Sequence, residues 1–187
     1  MKYKFILGSN SLRRQQLLRD LGLTFELRVK ETEEIYPPDL PVAAVPEYLA
    51  KVKAEALMED MKGDELLITA DTVVILENEV IGKPEDRTDA IRILGMLSGK
   101  KHTVVTGVCL TTKEKQEVFS VKTDVYFSRL RKEDIVYYVD NYHPFDKAGG
   151  YGIQEWIGYI GIKKINGSFY NVMGLPVQAL FEKLKSF

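Results

Sequence analysis

Three kinds of site are excluded by what this sequence lacks. Its 187 residues hold one cysteine, Cys109, and two histidines, His102 and His143. A lone cysteine forms neither an intrachain disulfide nor a cysteine-ligated zinc site, and two histidines do not make a histidine-rich metal site. Charge of one sign is also missing. Lys and Arg number 26 against 27 Asp and Glu, a formal net charge of −1. Nucleic-acid and membrane-surface binding rest on basic patches, so this balance counts against both. Long apolar runs are absent too. Phe5-Ile6-Leu7 before Gly8 is too short for a signal peptide, and no run approaches membrane-spanning length. The expectation is a soluble, cytoplasmic protein. No G-x-x-x-x-G-K-[ST] run occurs, and "GGYG" lacks dinucleotide-fingerprint spacing.

What is present supports a packed core. The chain is 45% hydrophobic and 28% charged, and its length suits one domain or two small lobes. Strands are expected over Tyr3–Leu7 and Phe25–Val29. A helix is expected over Ser11–Leu21, stopped by Gly22, and another from Pro46 to about Met61. "ELLITADTVVIL" is rich in β-branched residues and reads as a buried strand. Thr88 is expected to cap a helix that runs to about Leu97. "HTVVTGVCLTT" and "QEVFSVKTDVYF" read as strands, "RKEDIVYYVDNY" as a helix and "DKAGGYGIQ" as a glycine-rich loop. "YIGIKKI" reads as a late strand and "LPVQALFEKLKS" as the closing helix. Strands and helices alternate without a regular βαβ period, which favours a mixed sheet over a purely parallel one.

Two features carry chemical information. The first is "GSNSLRRQQLL", which places Arg13 and Arg14 in the first turn of a helix. That end already carries partial positive charge, so paired cations there call for water or for a strongly negative ligand. The second is Asp71, which interrupts an apolar strand. An ionised carboxylate buried there costs several kcal/mol unless cations or hydrogen bonds meet it. It is either a strand-end aspartate leaning into solvent or a site residue. Singly, Lys53, Lys83, Glu34 and Asp86 read as solvated surface. Together with Arg13 and Arg14, the lysines suit a polyphosphate. Glu34, Asp71 and Asp86 suit a hard, oxygen-seeking cation such as Mg²⁺. A metal-bridged phosphate chain with a carboxylate-activated water is a route to phosphoanhydride cleavage.

"GSNSLRRQQLL", "LAKVKAEAL", "ITADTVV", "IGKPED", "LSGKKHTVVTGV", "DKAGGYGIQ" and "INGSFYNVMGLP" occur in that order. Each is weak alone. In order and at compatible spacing, the set resembles the Maf family of nucleoside triphosphate pyrophosphatases across nearly the whole chain. The resemblance implies one Maf-like domain over residues 1–187, with an α/β fold similar to the inosine triphosphate pyrophosphatases. That fold is a long mixed sheet flanked by helices, in two lobes with a central cleft. It implies cleavage between the α and β phosphates with a divalent metal, Mg²⁺ or Mn²⁺, and a homodimer as the assembly.

Carried over position by position, Asp71 matches the family's catalytic carboxylate, the general base or a metal ligand. Ser9, Arg13 and Arg14 match the phosphate-binding "S-x-S-x-R-R" motif, and Asn10 departs from the small residue of many members without touching those matches. Lys53 and Lys83 match the cleft lysines, and Glu34 and Asp86 match accessory acidic positions at the metal. Arg13, Thr72 and Gln154 resemble the branch acting on dTTP and UTP rather than the one acting on 7-methyl-GTP. A glutamine amide carries donor and acceptor, which suits the mixed edge of uracil or thymine. The alternatives are the same reaction on modified nucleotides or 7-methyl-GTP, and a non-catalytic regulator of septum formation.

Overall fold

The computed structural model describes residues 3–187. The strands are β1 (Lys4–Leu7), β2 (Phe25–Leu27), β3 (Glu65–Leu76), β4 (Glu79–Ile81), β5 (Lys101–Thr111), β6 (Gln116–Phe127) and β7 (Ile162–Asn166). The helices are α1 (Leu12–Asp20), α2 (Val45–Glu55), α3 (Arg87–Leu97), α4 (Lys132–Tyr142), α5 (Trp156–Gly161), α6 (Phe169–Met173) and α7 (Val177–Ser186). The strands pair in the order β2-β1-β3-β5-β6-β7, with β4 on β3. β1 runs parallel to both β2 and β3, while β3–β4 and β6–β7 are antiparallel. The sheet is therefore mixed, as the irregular alternation predicts. Among the described residues no helix is long and apolar enough to cross a membrane.

Two compact units divide the chain. The first comprises Met1–Thr72, Thr106–Val121 and Gly174–Phe187, and the second Val73–Val105 and Lys122–Met173. In the first, Ile6, Leu67 and Cys109 pack with Ala50, Ala54 and Leu57. In the second, Val74, Leu94, Phe127, Tyr138 and Ile157 lie at the core. β3 is buried on both faces nearly throughout, which is why it reads as a continuous apolar run rather than an alternating one. The turn from β3 to β4 uses Glu77 and Asn78, both at positive φ (51° and 67°), the handedness that matches the twist of a two-residue hairpin.

Several local expectations are corrected. The second predicted helix stops at Glu55, and a 3-10 turn over Met58–Asp60 follows. Asp86, not Thr88, caps α3: its side chain accepts from the Asp89 N–H, satisfying an orphan donor of the first turn. Tyr159–Gly161 is helical, as the end of α5, and only Ile162 onward is strand. Trp156, Ile157 and Ile160 share a helical face there, and that spacing outweighed the β-branched content.

Candidate active site

In the first unit, the glycine at the end of β1 is dictated by space. A Cβ on Gly8 would lie 2.6 Å from Thr69 Cγ2 and 3.1 Å from Leu57 Cδ1. Glycine lets the backbone run against β3, and Gly8 N–H donates to Ile68 O at 2.9 Å. Ser9 follows, 8% exposed. Its Oγ accepts from the Ser11 N–H (3.2 Å) and from Arg14 Nη1 (3.3 Å). Ser11 caps α1 by accepting from the Arg14 N–H.

Arg14 is held on three sides. Nε donates to Gly174 O at 2.8 Å, Nη1 to Ser9, and Nη2 to Thr72 Oγ1 at 3.0 Å. Burial lowers its pKa from the ordinary arginine value, the negative charge of Asp71 opposes that, and the neighbouring positive charge of Arg13 adds to it. Thr72 Oγ1 also pairs with Thr106 Oγ1 at 2.9 Å. Arg13 is half-buried.

The carboxylate sits one residue before Thr72 on β3. Successive strand residues point to opposite faces, so Asp71 and Thr72 meet different partners. Asp71 is 6% exposed, and its Oδ1 accepts from Lys53 Nζ at 2.7 Å. The same ammonium lies 3.3 Å from Glu34 Oε1. A clamp one turn away explains this meeting. Thr69 Oγ1 donates to Ala50 O at 2.7 Å and pins α2 to β3. Lys53 lies one turn beyond Ala50 on the same helical face, and Asp71 lies two residues beyond Thr69 on the same strand face. Of the two readings the sequence left open, Asp71 does not lean into solvent: it is buried, and the cation that makes this tolerable is Lys53. Among the described residues Asp71 Oδ2 takes no hydrogen bond.

Two carboxylates converging on one ammonium form an all-oxygen donor pair. Magnesium is typically held by one or two carboxylates, with water and substrate phosphates completing its shell. Among the described residues no group of three or more acidic, histidine or cysteine side chains forms a closed metal cage. The donor set therefore fits a cation held partly by its substrate.

The structure thus brings together Ser9, Arg14 and Thr72, and separately Lys53, Glu34 and Asp71. Lys83, Asp86 and Gln154 belong to the second unit. Lys83 is exposed. Asp86 Oδ1 accepts from the Asp89 N–H at 2.8 Å. Gln154 is half-exposed, yet its Oε1 is buried without a hydrogen-bond partner. Sequence reasoning missed Thr106 and Gly174. Both lie inside quoted motifs, but a backbone carbonyl as arginine acceptor leaves no mark in residue type.

The model of the family described as "Maf-like protein" matches residues 4–187. A curated relative from Bacteroides thetaiotaomicron, named dTTP/UTP pyrophosphatase, is 55% identical over 98% of this chain and 96% of its own length. A relative from Parabacteroides distasonis with the same name is 54% identical over 100% of this chain and 97% of its own. Among solved structures, the Staphylococcus aureus Ham1 protein aligns with a TM-score of 0.46 and 13% identity, over 66% of this chain and 71% of that one. The family assignment does not depend on that alignment. The clamped carboxylate, the arginine-bearing helix start and full-length matches above half identity agree: the chain belongs to the Maf-like family.

Proposed function

We propose that this protein is a nucleoside triphosphate pyrophosphatase, a hydrolase that converts dTTP and UTP to the monophosphate and pyrophosphate and so cleanses nucleotide pools. The observation that carries the reading is the convergence of Lys53 on both Asp71 and Glu34, in a chain whose full-length relatives carry the name dTTP/UTP pyrophosphatase. The near-zero net charge supports a free nucleotide as the partner, rather than nucleic acid or a membrane surface. A homodimer is the assembly we expect.

In this reading the N-terminus of α1 and Arg13 meet the phosphate chain. Guanidinium forks suit phosphate oxygens, and the helix start contributes N–H groups. Arg14 holds Ser9 and Thr72 in place from behind. Asp71, oriented through Oδ1 by Lys53, keeps Oδ2 for the attacking water and accepts its proton. Water oxygen bonds to the α-phosphorus, the bond from that phosphorus to the bridging oxygen breaks, and pyrophosphate leaves. Glu34 and Asp71 are the residues that would hold Mg²⁺, which supplies charge neutralisation on the phosphates. Gln154 is the expected reader of the base.

The test is pyrophosphate release from a panel of nucleoside triphosphates with Mg²⁺, for wild type and Asp71→Asn. The expected result is fastest cleavage of dTTP and UTP, and a loss of about 10³-fold in kcat for Asp71→Asn. Activity confined to 7-methyl-GTP would keep the reaction and overturn the base assignment. Inactivity on every triphosphate would overturn the enzyme reading.

A further inference from the structure

Arg14 is a charged group held by neutral oxygens: Ser9 Oγ, Thr72 Oγ1 and Gly174 O. A carbonyl oxygen is aimed by its backbone. A hydroxyl is a rotor, and its lone pairs face a donor only where its own proton is drawn elsewhere. The bond from Arg14 Nη2 to Thr72 therefore depends on what else meets the Thr72 hydroxyl.

Two oxygens do. Thr106 Oγ1 lies 2.9 Å from Thr72 Oγ1, and Gly174 O lies 3.4 Å away, at the edge of hydrogen-bonding distance. Either placement of the proton between the threonines fixes the rotor. Thr72 donates to Thr106 and keeps its lone pairs for Arg14, or it accepts from both and donates to Gly174 O. Thr106 is itself rigidly placed. It is fully buried on β5. Its neighbour Gly107 seats β5 on the start of α2, where an added Cβ would lie 2.3 Å from Pro46 C and 2.4 Å from Glu47 N. A strand pressed that closely on a helix has little room to shift.

Beyond Arg14 the bonds continue to the turn proposed to meet the phosphates. Arg14 Nη1 donates to Ser9 Oγ at 3.3 Å, and the same oxygen accepts the Ser11 N–H at 3.2 Å, just before α1. An unbroken series of hydrogen bonds thus joins Thr106, Thr72, Arg14, Ser9 and the start of α1, all within the first unit.

We infer that Thr106 is a positioning residue for phosphate binding: its buried hydroxyl fixes the Thr72 rotor, which aims Arg14, and Arg14 sets the Ser9 turn at the start of α1. This rests on the proposed triphosphatase reading. Because Thr106 acts through Thr72 and Arg14 on the phosphate turn, its effect is the same for every base.

The experiment compares wild type with Thr106→Val and Thr106→Ser on dTTP and UTP. Inhibition by inorganic tripolyphosphate, which carries a phosphate chain without a base, is measured in parallel. Thr106→Val replaces the hydroxyl by a methyl of similar size. Folded, it should keep kcat within about threefold and raise KM for both nucleotides, and the tripolyphosphate Ki, about five- to tenfold alike. Thr106→Ser keeps the hydroxyl and should stay within about twofold of wild type on all three. Added to Thr72→Val, Thr106→Val should bring no further loss. An unchanged tripolyphosphate Ki in folded Thr106→Val overturns the inference. So does a KM change confined to one nucleotide, or a Thr106→Ser as impaired as Thr106→Val, since the methyl rather than the hydroxyl would then matter. If Thr106→Val does not fold, Thr106→Ala read the same way decides. The wild-type enzyme separates the two levels. No triphosphate hydrolysis by wild type refutes the activity and the inference together, whereas an active wild type with an indifferent Thr106→Val refutes the inference alone.

Discussion

The two units treat buried polarity in opposite ways. In the first, buried acids are met by cations. Asp71 meets Lys53, and Glu65 takes both Arg28 nitrogens at 2.8 and 2.9 Å. The Arg28 hydrogen bonds pull the Glu65 pKa down to about 2 against its own desolvation. In the second, buried polar groups are neutral. His102 is 1% exposed, its Nε2 lies 2.6 Å from Tyr151 Oη, and burial pushes its pKa down to about 4. Tyr138 and Tyr151 are raised, again by burial. The exception is Lys147 with Glu155, at 3.3 Å.

The largest test of this contrast is Lys53→Ala. It strips the shared cation from Asp71 and Glu34, and kcat should fall about 10²- to 10³-fold, measured by pyrophosphate release. Survival of near-wild-type kcat would remove Lys53 from the site. Next is pH. His102 titrates near 6.5 unfolded and about 4 folded, so below pH 6.5 the unfolded chain binds more protons than the folded one. Stability contributed by neutral His102 is full above pH 6.5 and is lost as pH falls toward 4, about 3 kcal/mol in all. Urea unfolding of wild type and His102→Asn at pH 7 and pH 4.5 should show a smaller acid loss in the variant. Equal losses would place the acid sensitivity elsewhere. Third, Gln154→Ala should lower kcat/KM for UTP about 10- to 100-fold with the fold intact, because it removes a matched pair of hydrogen bonds. Smallest is Gly8→Ala, which should cost about 1–3 kcal/mol in denaturant unfolding by forcing a methyl against Thr69 and Leu57.

The parts of this contrast that could be read from sequence are those written in residue type. β3 matches its predicted bounds because β-branched composition and flanking turn residues both mark it. Asp71 stood out because a carboxylate in an apolar strand demands a partner. The identity of that partner was not legible from spacing, since it depends on a hydroxyl-to-carbonyl clamp between Thr69 and Ala50. The α3 cap was misread because Asp86 and Thr88 are both good caps two residues apart, and only backbone geometry chooses between them. One Arg14 acceptor is supplied by Gly174, 160 residues away, through a carbonyl every residue possesses. Tyr138, whose hydroxyl accepts from the Gly152 N–H, was one tyrosine among ten.

Asp71 and Thr72 are neighbours that face opposite ways, and this sets a rule for how the chain can change. A single-residue insertion or deletion between Thr69 and Asp71 would turn the hydroxyl toward the lysine and the carboxylate toward the arginine, while leaving the strand's apolar character largely intact. Substitution at either position is a local event, whereas a change of length exchanges the two roles at once. This stretch of strand is therefore constrained in its length as well as in the residues at its two site positions.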